Sequence, residues 1–153
     1  MTIKKDVGDL VHRGESDSIE FKKTTGQLAR AAETFCAFLN GDSGTVRFGV
    51  GPDGKIAGQL VSDSTLRDVA QLLTRFDPPA PLQVRRVDVP DLAHQILVLP
   101  AGASHESRPF TFDGRPYERV GPTTSVMPQE KYQHNATKTA ATCRTARRVH
   151  RRA

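Results

Sequence analysis

Apolar and polar residues alternate over Ser18–Lys23, with Ile19 and Phe21 on one side and Ser18, Glu20 and Lys22 on the other. That two-residue period predicts a half-buried strand. Thr24–Gly26 breaks it, and Thr25 is positioned to cap a helix carrying Leu28, Ala31, Ala32, Phe35 and Leu39 as one stripe. Asn40–Gly44 ends that helix, because Asn and Gly tolerate the left-handed conformation of a C-cap. Thr45–Val50 and Lys55–Leu60 read as a hairpin around the turn Gly51–Gly54. Leu66, Val69, Ala70, Leu73 and Phe76 mark a second helix, started by Ser64 or Thr65 and stopped before Pro78-Pro79. Leu82–Val89 and His94–Leu99 read as strands joined at Pro90-Asp91, and Phe110–Phe112 and Pro116–Val120 as a hairpin around Asp113-Gly114. Gln129–Gln133 begins a last helix. Beyond it, Thr, Ala and Arg follow without an apolar stripe, which predicts disorder in the free chain. The division is a polar leader over 1–13 with a short turn at Asp9–His12, a folded part over 14–132, and a tail over 133–153. Without a steady β-α-β-α rhythm, the pattern predicts an α+β domain: a single mixed sheet of five or six strands with two or three helices.

The chain's 153 residues suit one domain, long enough to bury roughly 70% of its unfolded surface without disulfides or metal. With 12 Gly and 10 Pro, turns are plentiful. No period repeats, which excludes a solenoid. The longest aliphatic run, Ile96–Leu99, falls far short of the ~18 apolar residues of a membrane span, and no apolar run after Met1 predicts a secretory signal. Cys36 in a helical pattern and Cys143 in a polar tail point to reduced thiols and a cytoplasmic setting. The net charge of +5 and the pI near 9.6 suggest a nucleic-acid partner. Yet residues 133–153 hold six bases and no acid, leaving 16 bases against 17 acids in the body. The basicity belongs to the tail.

Glu20 and Lys22 stand two apart on a strand and therefore side by side. A metal-dependent nuclease uses such a pair: the carboxylate holds a divalent cation, and the ammonium orients water or offsets phosphate charge. Glu15 supplies a second carboxylate if Gly14–Ser18 curls back. The plainer reading is an exposed ion pair, worth under about 1 kcal/mol. Asp42 and Asp53 lie in Gly-rich turns, serving their own backbone or completing a metal site. No Walker lysine accompanies the glycines. His12, His94, His105, His134 and His150 show no metal-ligand spacing, Ser104-His105-Glu106 is a loop tripeptide, and Cys36 reads as core. Arg85, Arg86, Arg108, Arg115 and Arg119 are the body's candidates for phosphate contact. Phe110, Phe112 and Tyr117 interleave with the last three, as stacking platforms or as a core face.

Glu15–Lys22, Glu-Ser-Asp-Ser-Ile-Glu-Phe-Lys, resembles the opening motif of the Schlafen AlbA-like domain, Glu-Ser-x-x-x-Glu-Phe-Lys. Ala37-Phe38-Leu39-Asn40 with Ser43-Gly44, then Phe48-Gly49-Val50 with Asp53-Gly54-Lys55-Ile56-Ala57-Gly58, are similar to that family's later motifs. Tyr117-Glu118-Arg119-Val120-Gly121 with Thr123-Thr124 resembles its ending, so the likeness covers about residues 14–132. The resemblance implies a mixed α/β domain with nucleic acid as ligand, DNA or RNA, and often a transcription-regulatory role in bacteria. In animal Schlafens it implies cleavage of structured RNA by three carboxylates. Glu15 and Glu20 match two of them, whereas the third position reads Gly51-Pro52, with Asp53 the nearest acid. The leading expectation is a binding module without catalysis, which calls for no cofactor and uses Lys22, Arg85, Arg86, Arg115 and Arg119, with Arg147 and Arg148 from the tail. The alternative is an endoribonuclease acting on structured RNA such as transfer RNA, holding Mg²⁺ or Mn²⁺ by Glu15, Glu20 and Asp53 with Lys22 as electrostatic helper. A third reading gives the motif residues only the task of stabilising a protein-interaction module. No membrane partner is expected, and a homodimer is left open.

Overall fold

The structure, a computed structural model, describes residues 14–102 and 107–150 together with Gly8, Val11 and His12, with the backbone alone at 149 and 150. The expected turn at Asp9–His12 and the tripeptide at 104–106 lie partly or wholly outside the described residues, as do Arg151 and Arg152.

The alternating stretch forms β1 (Ile19–Lys22), which pairs in parallel with β2 (Gly44–Phe48) through the crossover helix α1 (Leu28–Asn40). Thr24, one residue before the expected cap, accepts the Gly26 N–H at the head of a single 3₁₀ turn that leads into α1. The helix buries more than its stripe. Thr34, Cys36, Ala37 and Phe38 are also inside, because α1 packs against strands of two sheets rather than one.

Two four-stranded sheets replace the expected single sheet. The first, in the order β1-β2-β5-β4, joins the parallel pair to an antiparallel pair, β4 (Arg85–Asp88) and β5 (Gln95–Ala101). The second, β3-β6-β7-β8, is antiparallel throughout: β3 (Phe76–Asp77), β6 (Thr111–Phe112), β7 (Arg115–Val120) and β8 (Thr123–Val126). Phe76, expected to continue the second helix, instead pairs with Phe112 and stacks its ring 5.1 Å from it. That helix, α2 (Asp63–Leu73), begins at a capping box between Ser62 and Thr65.

The hairpin expected from Lys55–Leu60 is reduced to isolated bridges, Val50 to Ile56 and Gln59 to Gln95. Two glycines explain this. Gly49 (φ +98°) and Gly58 (φ +65°) approach so closely that a Cβ on Gly49 would lie 2.9 Å from the Gly58 Cα. Ala57 and Gly58 both donate their N–H groups to the Gly49 carbonyl, closing a compact loop where a second strand would run.

The main core lies between α1, α2 and the two sheets, around Phe35, Phe38, Phe48, Leu97 and Phe110. A smaller cluster of Ile19, Phe21, Val50, Val89, Ile96 and Val98 covers the other face of the first sheet. Phe110, Phe112 and Tyr117 are all buried, so they serve the core and are not available for base stacking.

The last described element is α3 (Gln129–His150), helical where only Gln129–Gln133 was expected to be. Its second half has no apolar stripe and is exposed throughout residues 140–148. Ala, Lys, Arg and Gln have good helix propensity, and Thr137, Thr142 and Thr145 satisfy their hydroxyls on the carbonyl four residues earlier without adding to helix stability.

Candidate functional site

Ile19 and Phe21 face the smaller cluster, so the strand period turns Glu20 and Lys22 to the side that α1 covers, beside their register partners Val46 and Phe48. The pair is therefore enclosed, not solvated. Glu20 Oε1 accepts from Lys22 Nζ at 2.5 Å and Glu20 Oε2 from Arg119 Nη2 at 2.8 Å. The Lys22, Glu20 and Arg119 side chains are 15%, 12% and 6% exposed, which removes most of the water that weakens surface pairs. Arg119 also donates to the Ser16 carbonyl and to Thr124 Oγ1, with its guanidinium carbon 5.3 Å from the Phe38 ring centroid. One arginine thus ties β7 to β1, to the loop before β1, and to α1. Its place in the Tyr-x-Arg-x-Gly block is that of a strut.

Glu15 curls back as expected, and its Oε1 accepts the Phe21 N–H at 3.0 Å. Glu15, Glu20 and Lys22 line one cleft of about 360 Å³ with Lys23, Gln27 and Pro52. Asp53 lines a neighbouring cleft of about 770 Å³ with Thr24 and Lys55, the two clefts sharing Lys23 and Pro52. Asp53 Oδ1 accepts the Lys55 N–H at 3.0 Å, the turn duty ordinary for that residue type. As placed, these carboxylates do not fit a shared divalent cation: Glu20 is engaged by two cations, and Asp53 belongs to another cleft. Among the described residues, no group of three His, Cys, Asp or Glu side chains is placed to hold a metal ion.

The expected phosphate-contact residues do not gather into one patch. Lys22 and Arg119 are committed to Glu20. Arg85 and Arg86 are exposed on β4, the sheet edge opposite β1, about 14 Å away at ordinary strand spacing. Arg115 is exposed at the β6–β7 turn. Arg147 and Arg148 are exposed on α3, where Arg144 joins them three and four residues earlier on the same helical face. Sequence reasoning passed over Lys23 and Lys55, exposed walls of the larger cleft whose signal was their adjacency to the motif residues Lys22 and Gly54. Asn40, read in the sequence only as a helix end and a motif residue, has a further part. That side chain donates to the Phe110 and Tyr117 carbonyls at 2.9 and 3.0 Å and accepts the Phe110 N–H at 2.6 Å, bracketing β6 and β7 to the end of α1.

Burial pushes the guanidinium of Arg108 below its ordinary pKa, opposed by the charge of Asp42. Burial, followed by the neighbouring Glu33 carboxylate, raises the Tyr117 phenol.

No curated protein matches the chain. Among solved structures, the DIP2311 protein from Corynebacterium diphtheriae is 18% identical with a TM-score of 0.55, over 78% of this chain and 23% of that one. The chain thus spans under a quarter of that protein's length. The N-terminal domain of a Nitrosomonas europaea protein, named as related to the ATP-dependent DNA helicase RecG, is 21% identical with a TM-score of 0.55, over 80% of this chain and 92% of that domain. These likenesses carry the fold alone. The motif blocks converge on the strut between β1 and β7 and the bracket at the end of α1, and the family model described as Schlafen, AlbA_2 matches the same span, residues 15–128: the chain belongs to that family.

Proposed function

We propose that this chain is a nucleic-acid-binding module that grips phosphate with the outer half of α3 and does not cut what it binds. One observation carries the reading: Arg144, Arg147 and Arg148 stand exposed on one face of a helix that holds no acid after Glu130. A row of guanidinium groups on a helix projecting from a nearly neutral body is an electrostatic footprint for a polyanion. The Schlafen, AlbA_2 membership and the likeness to a domain of a RecG-related protein named for a DNA helicase point the same way. Binding without cleavage is favoured because the single Glu20 carboxylate is shared by Lys22 and Arg119, each of its oxygens already accepting from one of them.

Phosphate contacts carry no sequence information. Substituting Arg144, Arg147 and Arg148 together with Gln therefore weakens binding by a similar factor for two unrelated duplexes, read by fluorescence anisotropy. Unchanged affinity in the triple variant overturns the reading. Labelled transfer RNA incubated with Mg²⁺ or Mn²⁺ stays intact; cutting by the wild-type chain that Glu20→Ala abolishes would establish the nuclease instead.

A further inference from the structure

Away from the β1 clefts, residues of α3 and of the end of α1 line one groove of about 370 Å³. Its walls bring Arg108, Lys131 and Lys138 together with the polar side chains of Asn40, Asn135 and Thr139. Two carboxylates face this set: Glu118 pairs with Lys131, and Asp42 acts on Arg108 across space. Three cations against two acids leave the groove with one positive charge in excess. Lys138 has no ion-pair partner among the described residues.

Arg108 supplies the second observation. Its Nε donates to the Leu39 carbonyl at 3.1 Å, which fixes the guanidinium in place. Its Nη2 is buried without a hydrogen-bond partner among the described residues. A buried charged donor left unmatched is costly unless something accepts from it. Asn40 does not: its amide oxygen accepts from the Phe110 N–H, and its amide nitrogen donates to the Phe110 and Tyr117 carbonyls. Water satisfies such an atom as a neutral acceptor. A phosphate oxyanion satisfies it with charge as well, and Lys138, Asn135 and Thr139 line the same groove as further donors.

We propose that this groove is a phosphate-binding site, with Arg108 as its fixed donor and Lys138 as its mobile cation. The chemistry is shared by a free phosphate ion and a nucleic-acid phosphodiester, and the site stands whether or not the outer arm of α3 binds nucleic acid.

The test is an amide NMR titration of the ¹⁵N-labelled chain with inorganic phosphate, against sodium chloride at matched ionic strength. A second arm uses a short oligonucleotide lacking terminal phosphates. The Asn135 side-chain amide and the Lys138 and Thr139 backbone amides shift saturably with phosphate and not with chloride. Lys138→Gln, on an exposed helix position where the fold is not at stake, weakens that binding by about tenfold, the loss of one charge-assisted hydrogen bond. Lys55→Gln, in the other cleft, leaves it unchanged. If the oligonucleotide produces the same shifts, the source is the nucleic-acid backbone; if only inorganic phosphate does, the source is the free ion, and the site holds in both cases. Absence of saturable shifts in both arms, their reproduction by chloride, or an undiminished response in Lys138→Gln overturns it.

Discussion

Glu20 holds two cations in a place where little water reaches any of the three side chains. Its removal would leave Lys22 and Arg119 enclosed without the carboxylate to which both donate, and breaking a buried pair from one side is expensive. Glu20→Ala is therefore expected to lower unfolding free energy by about 3 kcal/mol in urea denaturation, with nucleic-acid affinity retained under folding conditions. Stability equal to wild type would mean that Glu20 is no strut. The Glu20–Lys22 half of this arrangement was legible from the strand period alone. Arg119 was not legible as a partner, because its contact with Glu20 spans 99 positions and a surface arginine has the same local sequence. Cys36 makes a second residue-scale prediction. Burial raises its thiol from 9.0 to about 12, with the Tyr117 backbone lowering it in part. An Ellman titration near pH ~8 should find one reactive thiol, the exposed Cys143, and a second only after unfolding. Two fast thiols in the native chain would contradict the packing. The sign for stability follows: because the folded pKa is raised, the contribution is full below 9.0 and is lost as pH climbs toward about 12.

At the level of elements, α1 organises the molecule by packing against strands of both sheets, and Asn40 at its end makes three hydrogen bonds to the backbone of the second sheet and its approach. Asn40→Ala takes away the side-chain partner of the Tyr117 carbonyl and of the Phe110 N–H, and leaves the Phe110 carbonyl only the longer contact from the Cys36 thiol. A loss of about 3 kcal/mol is expected, read as a lower urea midpoint at constant m-value. A loss below about 0.5 kcal/mol, the scatter of surface substitutions, would show that water replaces the bracket. The helices α1 and α2 and the β6–β7 hairpin were readable because each carries its own signal: an apolar stripe, or Asp113-Gly114 between apolar runs. The elements that escaped had none. β8 is an exposed edge of Thr and Ser, and α3 beyond Gln133 stands on helix propensity in place of a buried face, whereas Lys55–Leu60, which reads as a strand, is held off strand geometry by the contact of Gly49 with Gly58.

Across the whole molecule, fold and charge divide. The α+β class followed from the mixture of element types, whereas the split into two sheets depended on which strands pair at long range, β3 with β6 above all. The motif-bearing body is close to neutral, and its named cations are either spent on Glu20 or scattered over separate edges. The exposed arginines Arg144, Arg147 and Arg148 are concentrated on α3. Counterion release turns that division into a number: each phosphate neutralised on duplex DNA contributes about −0.9 to the slope of log K against log[salt]. The most direct test is anisotropy of a labelled duplex over a salt series, comparing the wild-type chain with the variant carrying Gln at positions 144, 147 and 148. The slope should become shallower by about 2.7 in the variant, three contacts' worth. Parallel slopes, or no binding by the wild-type chain at low salt, would contradict the assignment of binding to the outer half of α3.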